Sequence, residues 1–154
     1  MTYIKQIINY TLFTSITLLT LGCGNKVISN EKLIEHLIKD SLGYKDNYNS
    51  IVVFQEKGCI HCQHRLFDFI KENKTNKNIL FIIQSDEQLI NLSELKEKQG
   101  NIIFDYKKYL YNYNVVNGSS AILFNGSKID TIMPLDDSSS LSRNITFIKN
   151  RIDN

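Results

Sequence analysis

The 154-residue chain has one proline, no tryptophan and seven glycines. So few chain breakers exclude collagen-like and Pro/Gly-rich low-complexity classes and leave most of the chain free to form regular elements. An excess of one charge is also missing. Eighteen Lys and Arg stand against 16 Asp and Glu, a formal net charge of +2. The first 22 residues hold Lys5 and no acid, and removing that one charge from +2 leaves +1 for the remainder. Such an even balance supplies no electrostatic footprint for nucleic acid, and no nucleic-acid partner is expected. Cysteine is scarce, with Cys23, Cys59 and Cys62 alone, too few for a disulfide-framework scaffold. Internal repeats are absent. No Ser–His–Asp set, phosphate loop or paired-carboxylate cleft stands out, and no cofactor is expected. What is present is enough chain for one domain with a real core, rich in Asn, Lys and Ile.

The opening segment, MTYIKQIINYTLFTSITLLTLGC, has one early cation and then an apolar, Thr-rich run ending Leu21-Gly22-Cys23. The run is too short to span a bilayer comfortably and reads as a secretory signal. Gly22-Cys23 resembles the lipobox of bacterial lipoproteins, with Thr20 where that motif prefers Leu. The resemblance implies cleavage before Cys23, lipidation of its sulfur, and a protein anchored in the cell envelope facing the periplasm or exterior. An uncleaved anchor, or a secreted chain with a spare thiol, are the alternatives. The organisation expected is a signal peptide over 1–22, a polar tether over 23–29 and one folded domain over 30–154.

Within that domain, Leu33, Ile34, Leu37 and Ile38 share a helical face, with Asn30 to cap the start and Gly43 the end. IVVF (51–54) and ILFII (79–83) are wholly apolar and rich in β-branched residues, as strands buried on both faces are. Cys62, Leu66, Phe69 and Ile70 repeat at helical spacing, so Cys59 falls at a helix N-terminus and Cys62 about one turn in. Ser85 and Gln88 have capping-box spacing and open one helix or two short ones. A third short strand is expected at 101–104 and a short helix over DYKKYLYNYN, whose Tyr106, Tyr109 and Tyr113 fall on one face and read as packing. Asn125-Gly126 between AILF and KIDTI predicts a type I′ hairpin. Leu141, Ile145, Ile148 and Ile152 form a terminal helix, with Ser138 to Ser140 available as caps.

The chemistry-bearing stretch is KGCIHCQHR. A thiol at a helix N-terminus meets unpaired N–H groups and positive dipole, which favour the thiolate. Cys59 is the candidate nucleophile, Cys62 the resolving thiol, and His61 and Lys57 the nearby positive charge. Two other readings compete. One is a static disulfide. The other is a copper or zinc site on Cys59, His61, Cys62 and His64, although zinc usually takes a second ligand pair elsewhere and only His36 remains. Gln63 directly after Cys62 excludes haem attachment through Cys-x-x-Cys-His.

The order strand, dithiol helix, strand, helix, hairpin, terminal helix over roughly residues 30–152 resembles the thioredoxin superfamily, and most of all its extracytoplasmic, membrane-tethered TlpA/ResA-like branch. The resemblance implies an α/β fold, a thioredoxin-like three-layer α/β/α sandwich with a central mixed sheet. It implies a thiol–disulfide oxidoreductase acting on protein dithiols or disulfides through Cys59 and Cys62. It places the substrate-docking edge at Ser119 and Ser120, where the family carries a cis-proline and this chain has none. Val53 stands where many thioredoxins bury an acid, and Gly58 where an aromatic often precedes the motif. His61 matches the histidine of DsbA-type oxidants, whereas the tethered branch holds mostly reductases, so the chemistry is expected without its direction. These departures keep a second class in view, a non-catalytic thioredoxin-like interaction lipoprotein.

Overall fold

The structure, a computed structural model, describes residues 30–44, 47–57, 59–84, 92–95 and 100–152. The expected signal peptide and tether with Cys23, Gly58 and the expected Ser85–Gln88 box lie outside the described residues.

The two apolar runs become the central strands. β1 (Ser50–Gln55) and β2 (Ile79–Gln84) are buried at every position. They pair in parallel, Ser50 opposite Ile79 and Gln55 opposite Gln84. The short β3 (Ile102–Phe104) extends the sheet in parallel beyond β2. β4 (Ser120–Asn125) runs antiparallel to β1, and β5 (Lys128–Pro134) antiparallel to β4. The sheet order is β3-β2-β1-β4-β5.

Because successive strand residues face opposite ways, the central strands feed two separate cores. Val52, Phe54, Phe81, Ile83 and Leu123 meet α2 (Ile60–Asn73) and α4 (Leu141–Ile152) on one face. Ile51, Val53, Leu80, Ile82 and Ile122 meet α1 (Asn30–His36), its one-turn π extension (Leu37–Ser41) and α3 (Tyr109–Asn112) on the other. This is a three-layer α/β/α arrangement around a mixed sheet, a thioredoxin-like α/β fold. Of the predicted stripe, Ile34, Leu37 and Ile38 are buried and Leu33 is half-buried, and Gly43 follows at φ +72°. On α4, Leu141, Ile148 and Ile152 are buried.

Two expectations need correction. The hairpin turn is Gly126-Ser127, since Asn125 pairs with Lys128. Gly126 alone has positive φ (+62°) there, which fits a type II′ turn with glycine first rather than type I′. Asp130 is the extra residue in β5, where the register slips between Leu123 and Phe124, and it pairs with Arg151 at 2.7 Å. The tyrosines do not form one packing face. Tyr106 precedes the helix and stacks on Phe104, Tyr113 is exposed, and Leu110 is the buried residue of α3. In the region read as one or two helices, the described part is a single 3-10 turn, Leu92–Leu95, whose two leucines are buried.

At their C-terminal ends the three parallel strands are tied by a polar chain. Gln55 Nε2 donates to Gln84 Oε1 at 2.8 Å, and Gln84 Nε2 to Asp105 Oδ2 at 2.7 Å. The Tyr109 N–H also donates to Asp105 Oδ2 at 2.7 Å, which anchors the start of α3. The Gln55, Gln84 and Asp105 side chains are all buried. This edge of the sheet is the one from which the Cys-x-x-Cys segment departs.

Candidate functional site

β1 ends at Gln55, and Cys59 is the N-cap of α2. Its backbone is extended (φ −68°, ψ 111°), and its Sγ accepts the Cys62 N–H at 3.3 Å. The Gln63 N–H donates to the Cys59 carbonyl at 3.1 Å and begins the helical ladder. The sulfur thus occupies the place that a Ser or Asp oxygen takes in an ordinary N-cap.

The two thiols are made unequal by this placement. The Cys62 thiol and the Cys62 N–H both direct hydrogen bonds at Cys59, and with the His61 N–H they hold the Cys59 thiol below its ordinary range. Partial desolvation and the Asp137 charge oppose them. Cys62 is 2% exposed and packs in the core with Phe54, Leu66 and Leu141. Burial first, then its bond and charge interaction with Cys59, push its thiol up to about 11. The outer sulfur is therefore the readier thiolate and the inner sulfur the retained thiol.

His61 is exposed beside Cys59, as is Ile60. The Lys57 ammonium lies over the Tyr111 ring, 4.6 Å from its centroid, so this cation is shared with an aromatic face of α3. Val53 sits in the apolar core and brings no acid to the dithiol.

Ser119 and Ser120 are both buried, and their bonds run inward. Ser119 Oγ accepts the Gln55 N–H at 2.9 Å and donates to the Gln55 carbonyl at 3.1 Å. Its own carbonyl accepts the Leu135 N–H at 2.7 Å. Ser120 is the first residue of β4, opposite Val53, and its hydroxyl donates to the Gly118 carbonyl at 3.1 Å. The described peptide bonds, Ser119–Ser120 among them, are all trans. Gly118 is pressed by Asp136, whose carboxylate occupies the space a Cβ would need.

His64 is exposed while Cys62 is buried, and His36 is bonded to Asp40 on α1. Among the described residues, no three His, Cys, Asp or Glu side chains come together in a metal-holding group. No described helix is long and apolar enough to cross a membrane.

Several polar residues of this region escape sequence reasoning. Gln55 and Gln84 each close an apolar run, and that shared position was the available signal for the strand-end chain. Gln63, 3% exposed on α2, has neither amide atom paired, and nothing in its helical spacing marks it. Asp137, which bears on both sulfurs, sits in a Ser-rich turn that reads as helix capping. Comparison with family models, with characterised proteins and with solved structures finds no significant match to this chain.

Proposed function

We propose that the protein is a lipid-anchored thiol–disulfide oxidoreductase of the cell envelope, working through Cys59 and Cys62 and attached through Cys23. The observation that carries the redox reading is the pairing of the two thiols, with Cys59 as the N-cap sulfur of α2 and Cys62 buried one turn behind it.

In the reductive direction the Cys59 thiolate attacks one sulfur of a substrate disulfide. A Cys59–substrate disulfide forms, and one substrate thiolate leaves and takes a proton from water. Cys62 then gives its proton back to the hydroxide left by that water and attacks Cys59 Sγ. The Cys59–Cys62 disulfide forms, and the second substrate thiolate departs. Two electrons pass from protein to substrate, and an external thiol donor must restore the dithiol. Oxidation is the same sequence reversed. His61, exposed beside Cys59, adds positive charge near the thiolate when protonated. The TlpA/ResA-like affinity and the lipid anchor are carried by the sequence motifs alone.

Equilibration with glutathione buffers of graded redox poise tests the reading. The dithiol is expected to titrate reversibly as one two-electron couple. A pair that never exchanges with glutathione would sink the enzyme reading and leave the non-catalytic interaction lipoprotein. The inward bonding of Ser119 and Ser120 favours that second reading, because those groups are unavailable to a docked strand.

A further inference from the structure

We propose that the pocket walled by Lys74 and Lys77 binds the phosphate of an anionic phospholipid headgroup, and so turns the dithiol end of the anchored domain away from the membrane. This rests on the lipid-anchor part of the reading above and adds which end of the domain meets the bilayer.

The pocket, of about 590 Å³, lies at the N-terminal ends of the parallel strands, opposite the end from which the chain runs to Cys59. Lys74, Thr75 and Lys77 come from the turn between α2 and β2, Tyr44 and Asn47 from the approach to β1, and Asn101 from directly before β3. Among the described residues no carboxylate lines it. Neither lysine has an ion-pair partner among the described residues, whereas Lys71, Lys149 and Arg151 are each bonded to a carboxylate, at 2.6, 2.9 and 2.7 Å. Glu94 feels the Lys74 charge, but its carboxylate is the one bonded to Lys71.

The lysine-bearing turn is held in shape by buried bonds. Asn101 is 4% exposed, and its Nδ2 donates to the carbonyls of Asn73, Asn76 and Ile79 at 3.3, 2.8 and 3.1 Å. The Asn76 N–H donates to the Asn73 carbonyl at 2.9 Å, and Asn78 Nδ2 to the Ile152 carbonyl at 3.0 Å. Both lysine side chains therefore start from a fixed backbone. The Asn101 amide also occupies helix-end carbonyls that would otherwise repel an anion. Its own Oδ1 is buried without a partner, so the pocket wall contains one unmatched acceptor. Phosphatidylglycerol suits both features, with a phosphodiester for the lysines and glycerol hydroxyls for the amide oxygen.

The position of the tether favours a lipid as the source of that phosphate. Asn47 also lines a neighbouring pocket, with Glu31 and Ile34 from the start of α1 and with Gly126 and Ser127 of the hairpin turn. The chain from Cys23 thus enters the domain at the same end as the Lys74–Lys77 pocket. Asn30 is seven residues beyond Cys23, a reach of roughly 25 Å at full extension. A lipid on Cys23 keeps this end within range of headgroups. The neighbouring pocket carries Glu31 and Glu35, which leaves the lysine-walled one to accept the anion.

The full-length protein is reconstituted in phosphatidylcholine vesicles and in mixed phosphatidylcholine–phosphatidylglycerol vesicles. Brief acetylation by acetic anhydride, an uncharged reagent, is mapped by mass to Lys74, Lys77 and, as a reference at the dithiol end, the exposed Lys107. Phosphatidylglycerol should slow labelling of Lys74 and Lys77 and leave Lys107 unchanged. Lys74→Gln should weaken the protection of Lys77 about fivefold, the effect of one lysine at an anionic surface, and Lys77→Gln should do the same to Lys74. Arg143→Gln, which removes an exposed charge from the dithiol end, should keep full protection. Equal labelling in the two kinds of vesicle overturns the inference. Equal protection by inorganic phosphate added to phosphatidylcholine vesicles makes the pocket a free-phosphate site and overturns it too. A chain that carries no fatty acid on Cys23 fails the anchor reading instead. Cosedimentation of that chain with the mixed vesicles alone then supports the pocket, and cosedimentation with neither overturns it.

Discussion

Ser119 and Gln55, 64 residues apart, are joined in both directions through one hydroxyl: Ser119 Oγ accepts the Gln55 N–H at 2.9 Å and donates to the Gln55 carbonyl at 3.1 Å. The last paired residues of β1 and β4 are Val53 and Ser120. Beyond them a side chain does what a further rung of the ladder would do, and it holds the end of β1 where the chain turns toward Cys59.

Ser119→Ala therefore strands the buried Gln55 N–H, while the Gln55 carbonyl keeps its bond from the Lys57 N–H at 2.9 Å. The expected loss is about 1–3 kcal/mol in urea unfolding, the cost of one buried unsatisfied donor. Ser120→Ala gives up only a local bond to Gly118 and should lose about 0.5–1 kcal/mol. Equal losses at the two serines would show that the clasp contributes nothing special.

Alkylation of the reduced protein should strike Cys59 first. Above its depressed midpoint and below about pH 11, Cys59 is ionised while Cys62 retains its proton. Mass mapping after brief iodoacetamide treatment at pH 8 is expected to find label on Cys59 alone. Faster labelling of Cys62 would reverse the roles of the two sulfurs.

Cys62 also links stability to alkaline pH. Its folded-state pKa of about 11 lies above the ordinary 9.0, so between those values the native state holds a proton that the unfolded state has lost. The stability it contributes is complete below pH 9 and declines as pH rises toward 11. Denaturation of the reduced protein at pH 8 and pH 10.5 should show that decline, and Cys62→Ala should show a smaller one. An identical pH dependence in both proteins would mean that the buried thiol is not the linked group.

Asp105 holds Gln84 Nε2 and the Tyr109 N–H on one oxygen. Asp105→Ala should cost about 2–3 kcal/mol, because both donors lose their buried partner. Asp105→Asn can present an amide oxygen in the same place and should cost clearly less. If the two variants unfold at the same urea concentration, the strand-end chain is not what stabilises this edge.

The proposed membrane anchor places the lipid on Cys23. In a bacterial host, Cys23→Ala is expected to block incorporation of labelled fatty acid and to leave unprocessed precursor. Undiminished lipid labelling of that variant would remove Cys23 as the attachment point.

The sequence by itself determined which faces are apolar. Period two and period 3.6 are local properties, and burial followed them: Val52 and Val53 into opposite cores, Cys62, Leu66 and Ile70 under α2, Ile148 and Ile152 under α4. It also pointed to Cys59 at a helix start, since Cys62, Leu66, Phe69 and Ile70 repeat at helical spacing just after an apolar strand and Gly58. Tertiary structure decided which polar groups meet. Ser119 reaches Gln55 only because β4 pairs with β1. Gln84 reaches Asp105 only because β3 takes the edge beside β2. Leu135 and Leu141, at the two ends of the β5–α4 turn, share a core with Cys62 only because that turn packs α4 on the same face of the sheet as α2. A hydrogen bond or a charge acts over a few ångströms, and residues far apart in sequence come within that range only once the sheet order and the packing of both helix layers are set.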